Sequence, residues 1–259
     1  MRAPLLSFLL AVGCCEGLAV AQDFVEMPTI AAWELRRPHV ALVIDMDQDG
    51  LEDVVVADWE RDSVSYYRSR GTGAFDAQVL ITTEADGASA IDVADLDGDG
   101  DLDVVATSWF DQQVAWYENL GAGAFGPEQV LALAGGSRGV DCGDLDGDGD
   151  LDVFGTAEDS DRVLLLRNLG SGVFTSAIVL DNDAGGPMDI QSGDLDGDGD
   201  LDLVVASSDH DRVQWYENNG GGVFGPAQIV GNNVSDAKSV ALADLDGDGD
   251  LDVAAASSS

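Results

Sequence analysis

The sequence predicts an all-β chain, a β-propeller of four-stranded blades, and three observations carry the prediction. An acidic loop begins at Asp45, Asp95, Asp144, Asp194 and Asp244, at spacings of 50, 49, 50 and 50. A glycine turn of the form G-x-G-x-F ends at Phe75, Phe125, Phe174 and Phe224, at spacings of 50, 49 and 50. Between these landmarks lie short apolar runs, and no stretch combines helical periodicity with capping residues. Two independent markers in one register establish a repeat, and a four-stranded unit of about fifty residues has the size of a propeller blade. A β-solenoid of stacked coils is the structural alternative, although its coils are usually shorter.

Within a unit, the first strand precedes the acidic loop, as in residues 90–94, where apolar positions alternate. The second follows the loop directly, at residues 102–106. The third is residues 113–117, matched by 64–67, 163–166 and 213–216. The turn at 119–123 then reverses the chain, glycine being the residue that accepts positive φ. The fourth strand starts at Gln129. At the ends, residues 24–31 resemble another fourth strand, and the sequence stops just after the second strand of a fifth unit. Either the N-terminal strand completes the last blade or the chain is a fragment of a larger ring. The incomplete final blade favours the fragment.

Met1-Arg2, the apolar run from Pro4 to Cys15 and the small-x-small triplet Ala19-Val20-Ala21 read as a signal peptide over residues 1–21. Residues 22–259 are then the propeller, and the expected location is secreted or extracellular, with cell-surface attachment as a variant. Gly13-Cys14 offers a weaker lipoprotein reading. The apolar run is too short for a typical transmembrane span, and no later segment is apolar enough, so the chain is expected not to span a membrane. After cleavage Cys142 is the only cysteine left, which excludes an intrachain disulfide.

The net charge is −39, with 50 acidic residues against 11 Lys and Arg. Such a surface repels nucleic-acid phosphates and anionic membranes, so no nucleic-acid partner is expected. Positions 1, 3, 5 and 9 of the five loops account for 20 of the acidic residues, a placement that points to a cation. The ligand positions 1, 3, 5, 7 and 9 are Asp45, Asp47, Asp49, Leu51 and Asp53 in the first loop and Asp95, Asp97, Asp99, Asp101 and Asp103 in the second. They are Asp144, Asp146, Asp148, Asp150 and Asp152 in the third, and Asp194, Asp196, Asp198, Asp200 and Asp202 in the fourth. In the fifth they are Asp244, Asp246, Asp248, Asp250 and Asp252.

Ca2+ takes six to eight hard oxygen ligands in a flexible cage, which alternating carboxylates on a curled loop can supply. Glycine at position 6 permits the turn that brings the position-7 carbonyl inward, so Leu51 costs nothing there. A carboxylate at position 9 closes the shell. The apolar residue at position 2 is expected to pin the loop to the core. Mg2+ fits less well because it demands tight octahedral geometry. An EF-hand also opens D-x-D-x-D-G but needs a bidentate acid at position 12, where this chain has Val56, Ala106, Gly155, Val205 and Ala255.

The loop, the strand after it and the N-x-G-x-G-x-F-G-P stretch at residues 119–127 and 218–226 resemble FG-GAP or VCBS-type repeats. The resemblance implies a propeller, seven-bladed in integrin α chains, with calcium in the loop between the first and second strands. It implies calcium ligation by Asp45, Asp47, Asp49 and Asp53 and their equivalents, with a structural role for the ion. The family's propellers serve adhesion or recognition, or accompany a separate enzyme domain.

Trp116 and Trp215 invite a lectin reading, since aromatic faces stack on sugars, but their fixed place in the third strand suits packing better. Cys142 aligns with Val43, Val93, Ser192 and Leu242 and is expected to be a buried, inert thiol. His39 and His210 have no repeated acid–base surroundings, so no catalytic residues are assigned. Asn233-Val234-Ser235 is a glycosylation sequon. The expected function is a non-catalytic recognition or adhesion module that binds an extracellular protein or glycan. A carbohydrate-binding lectin and the propeller part of a larger secreted enzyme are the alternatives.

Overall fold

The computed structural model describes residues 35–121 and 123–258. The expected signal peptide and the strand at 24–31 lie outside the described residues. Four antiparallel four-stranded sheets follow one another, each in chain order. The first contains β1 (Pro38–Ile44), β2 (Asp53–Asp58), β3 (Ser63–Tyr67) and β4 (Val79–Thr82). The second contains β5 (Ala88–Ala94), β6 (Asp103–Ser108), β7 (Gln113–Tyr117) and β8 (Gln129–Leu133). The third is β9 (Ser137–Gly143), β10 (Asp152–Ala157), β11 (Arg162–Leu166) and β12 (Ile178–Asp181). The fourth is β13 (Pro187–Gly193), β14 (Asp202–Ser207), β15 (Arg212–Tyr216) and β16 (Gln228–Asn232). A two-stranded sheet, β17 (Ala237–Ala243) and β18 (Asp252–Ser257), follows. The expected four blades and two strands are present, and the second strands start one residue later than read, at the ninth loop position.

The sheets are arranged radially. Residues of β1, β5, β9, β13 and β17 border one common cavity, so the first strand of each sheet is innermost. In the second, third and fourth sheets the fourth strand is the most exposed, while β6, β10 and β14 are buried along their whole length. Among the described residues the sheets do not close into a ring.

A strand with both faces buried needs apolar residues at successive positions, and Val54-Val55-Val56 and Leu203-Val204-Val205 supply them. The core lies between blades. Val55, Val64 and Tyr66 of the first sheet pack with Ile91, Val104 and Tyr117 of the second, and the third joins the fourth through Phe154, Leu165, Leu203 and Tyr216. Each blade thus completes its core only against its neighbour, as repeat architectures require.

Trp116 is 4% exposed and meets Phe174 of the next blade edge-on at 5.9 Å, so packing is its role. Cys142 is a half-buried free cysteine, and burial with the nearby Asp92 and Asp141 carboxylates pushes its thiol upward, as suits an inert side chain. The apolar second loop residue is buried as Met46, Leu96 and Leu145, and Leu195 packs against a core cluster. Leu245 departs from the expectation at 68% exposure, because no described sheet lies beyond it.

Candidate metal centres

Each loop joins the first and second strands of its blade, and its curl is fixed by two left-handed residues. In loops two to five these are glycines at positions 4 and 6, as in Gly98 (φ 77°) and Gly100 (φ 97°). Loop one places Gln48 at φ 56° at position 4, a conformation a non-glycine side chain rarely takes. The carboxylate at position 1 holds the curl. Its two oxygens accept the N–H groups of positions 4 and 6, as Asp95 does from Gly98 at 2.9 Å and Gly100 at 3.0 Å. Asp144, Asp194 and Asp244 repeat this arrangement, and Asp45 accepts from Asp49 and Gly50 instead.

The curl brings carboxylates together. In loops two to five, one oxygen from each of positions 1, 3 and 5 lies within 4.8 Å of the others: Asp95 with Asp97 and Asp99, and likewise at 144–148, 194–198 and 244–248. In loop one the trio is Asp45, Asp47 and Asp53. Position 7 points elsewhere. The carboxylates of Asp101, Asp150 and Asp200 face the turn glycines Gly121, Gly170 and Gly220, and Leu51 packs against Gly71.

Position 9 has a second role that the sequence reading missed. Asp53, Asp103, Asp152 and Asp202 are fully buried. One oxygen of each position-9 aspartate, Asp252 included, accepts the N–H of the second loop residue at 2.9–3.3 Å. The other oxygen of the first four accepts the N–H of Ser69, Asn119, Asn168 or Asn218 at 2.6–2.8 Å. This carboxylate therefore ties the loop to the corner after the third strand. The asparagines extend the tie between blades. Asn168 Nδ2 donates to Leu96 O of the preceding blade at 2.7 Å, and Asn218 Nδ2 donates to Leu145 O at 2.8 Å. The recurring asparagine before the glycine turn was the available signal, read only as part of a turn.

Electrostatics favour a cation in these loops. Asp47 Oδ1 and Asp146 Oδ1, both at position 3, are buried without a hydrogen-bond partner. Burial pushes Asp103 and Asp152 up to about 6 and raises Asp97, whose neighbours Asp99 and Asp95 add to the shift. Crowded carboxylates that resist ionisation are stabilised by a hard divalent cation, and all-oxygen donors suit calcium. The residues present fit the ion, with positions 1, 3 and 5 in loops two to five, and positions 1, 3 and 9 in loop one, to hold it. Two loops also meet an arginine. Arg68 pairs with Asp47 at 2.5 Å and Asp49 at 2.9 Å, and Arg167 pairs with Asp146 at 3.2 Å. The corresponding residues of the second and fourth blades are Glu118 and Glu217.

A family model described as an FG-GAP-like repeat matches residues 45–106, 99–155, 144–205 and 194–255. The chain belongs to the FG-GAP-like repeat family. No curated protein matches the chain. Among solved structures, an Agrocybe aegerita lectin described as recognising non-reducing terminal N-acetylglucosamine is 26% identical, with a TM-score of 0.61. The match covers 85% of this chain and 61% of the lectin, so the FG-GAP-like chain spans about three fifths of that relative. The V. cholerae biofilm matrix protein Bap1 matches at 21% identity and a TM-score of 0.51, over 80% of this chain and 30% of its own. Virginiamycin B lyase from Staphylococcus aureus matches at 14% identity and a TM-score of 0.53, over 79% and 59%. The last two likenesses show the propeller-like fold alone. No helix among the described residues is long and apolar enough to cross a membrane.

Proposed function

We propose that this FG-GAP-like chain is a secreted, non-catalytic recognition or adhesion module whose blades are held by structural calcium at the five acidic loops. The observation that carries the calcium reading is the convergence of three carboxylate oxygens within 4.8 Å in every loop. The orphaned Asp47 Oδ1 and Asp146 Oδ1 support it. Calcium in a loop would fix the connection between a first and a second strand, and the position-9 carboxylate would pass that constraint to the corner and the preceding blade. Equivalent sites in successive blades support scaffolding, whereas a catalytic centre requires a distinct arrangement in one place. Export is supported by residues 1–21 of the sequence alone.

Binding stabilises by mass action, about 2.7 kcal/mol per site at a hundred-fold excess of ion over Kd. Dialysis against a chelator, followed by calorimetry and elemental analysis, tests the reading. Several calcium ions per chain and a large fall in Tm on chelation are expected. An unchanged Tm together with no detectable calcium would sink it.

The similarity to an N-acetylglucosamine-recognising lectin favours a second reading, glycan recognition. Trp116 gives it no support, since the ring is buried between blades. A glycan array probed with the calcium-loaded chain separates the two: selective glycan binding selects the lectin, and binding confined to protein ligands selects adhesion.

A further inference from the structure

The first strand of every sheet carries one residue more than the strand it pairs with. Pairing steps from Pro38 to Val40 opposite Asp58 and Ala57, and from Ala88 to Ala90 opposite Ser108 and Thr107. The same step occurs between Pro187 and Asp189 and between Ala237 and Ser239, and in the third sheet the same one-residue excess places Arg138 and Gly139 opposite Thr156. Such bulges re-aim side chains, often next to functional sites. Here the repeat register assigns the bulge to His39, Ser89, Arg138, Met188 and Lys238, and all five line one axial cavity of about 240 Å3. Four of them, without Ser89, also line an adjoining cavity of about 400 Å3, together with Arg37 and Trp59.

The charge of that larger cavity is opposite to the chain's. In a protein with 50 acidic residues, three cations and a histidine face it, and no described carboxylate is in its wall. Lys238 is the chain's single lysine. Arg138 is held in place: its guanidinium lies 4.1 Å from the Trp109 ring centroid and 5.3 Å from that of Trp59. Its ion pair with Glu158 uses Nε, at 2.7 Å, which leaves both Nη groups for another acceptor. Lys238 pairs with Asp236 at 2.7 Å, at a half-exposed position where water competes. Asp189, in the smaller cavity, is engaged by Ser239 Oγ at 2.7 Å and Val240 N at 2.9 Å.

A cavity of this size, with a few convergent polar groups and an aromatic wall, has the make-up of a small-molecule site. Guanidinium groups match oxyanions by geometry as well as charge. We propose that the larger of these two cavities binds the carboxylate or sulfate of a small molecule of about monosaccharide size. Arg37, Arg138 and Lys238 hold the oxyanion, and the Trp59 ring positions the two guanidinium groups, which lie 5.7 and 5.3 Å from its centroid. The site rests on the recognition reading only in that the module binds a ligand, and it is independent of calcium.

Isothermal titration of the calcium-loaded full chain with sodium glucuronate, sodium sulfate and glucose tests the site. Glucuronate is expected to bind and glucose not to. Lys238→Gln and Arg37→Gln, both at solvent-accessible positions, should each weaken binding about three- to tenfold with Tm unchanged. Sulfate binding with the same dependence on these variants supports the site and identifies the oxyanion as the determinant. Binding of glucose equal to that of glucuronate, no binding of either anion at millimolar concentration, or variants that bind as the parent does would each overturn the proposal. A neutral-glycan hit on an array that survives Lys238→Gln, together with no anion binding, would remove this site and leave the recognition reading standing.

Discussion

Replacing Asn168 or Asn218 by alanine should loosen the contact between blades more than replacing Asn119. Asn168 makes three side-chain hydrogen bonds, to Leu96 O at 2.7 Å, to Leu151 O at 3.1 Å and from Gly170 N at 3.1 Å. Asn218 repeats them with Leu145 O, Leu201 O and Gly220 N. Asn119 makes the two within its own blade, to Leu102 O at 2.9 Å and from Gly121 N at 3.0 Å. At about 1 kcal/mol net per bond, Asn168→Ala should cost about 3 kcal/mol and Asn119→Ala about 2. For a chain of this size about 1 kcal/mol corresponds to roughly 2–4 °C in Tm, which calorimetry in saturating calcium resolves. Asn168→Ser should recover part of the loss, since Ser69 holds the same corner of the first blade and accepts the Gly71 N–H. Native-state hydrogen exchange adds a local readout, with faster exchange around Leu96 in Asn168→Ala. Equal losses in Asn119→Ala and Asn168→Ala would refute the inter-blade role.

Three further outcomes follow from the loops and the inner strands. Burial raises both carboxylates of the Asp92–Asp141 pair and, with the Asp92 charge, pushes Asp141 up to about 7, so the folded chain holds a proton on the pair that the unfolded chain has released. Stability from this group is therefore present at low pH and lost as pH rises from about 4 through about 7, at up to about 1.4 kcal/mol per unit. Asp141→Asn should remove that component, read as a flatter difference curve in urea midpoints across this range. Asp101→Leu, copying Leu51, should leave the number of bound calcium ions unchanged, because its carboxylate faces Gly121; loss of an ion by elemental analysis would contradict that placement. Arg68→Gln and Arg167→Gln should tighten calcium binding at loops one and three by removing a competing cation, a change a calcium titration would detect.

Much of this was legible because the repeat exposes it. Each acidic loop and each glycine turn recurs at fixed spacing, so strand order and blade number followed from a few landmarks. The grouping of positions 1, 3 and 5 was legible too, since alternate residues on a curled loop share a side. The second role of position 9 was not, because one-dimensional spacing cannot show that the second loop residue and the corner after the third strand meet the same carboxylate. The inter-blade reach of Asn168 and Asn218 spans 72 and 73 residues, beyond any local pattern. The axial residues were hidden for a different reason. His39, Ser89, Arg138, Met188 and Lys238 share a structural position but no chemistry, so the periodicity that revealed the loops gave no sign of them.

That lack of shared chemistry is itself a consequence of the bulge. A residue left out of the ladder is free of the cross-strand pairing that constrains its neighbours, so each sheet can carry a different side chain there at little cost to the frame. Ser89 is tied to Thr107 and Ser137, and Arg138 to Glu158 and Trp109, so the remaining three positions, His39, Met188 and Lys238, can be rewritten while the loops and inter-blade cores stay as they are. The chain is in this sense a ready-made library scaffold, with a fixed frame and a short, variable inscription at its centre.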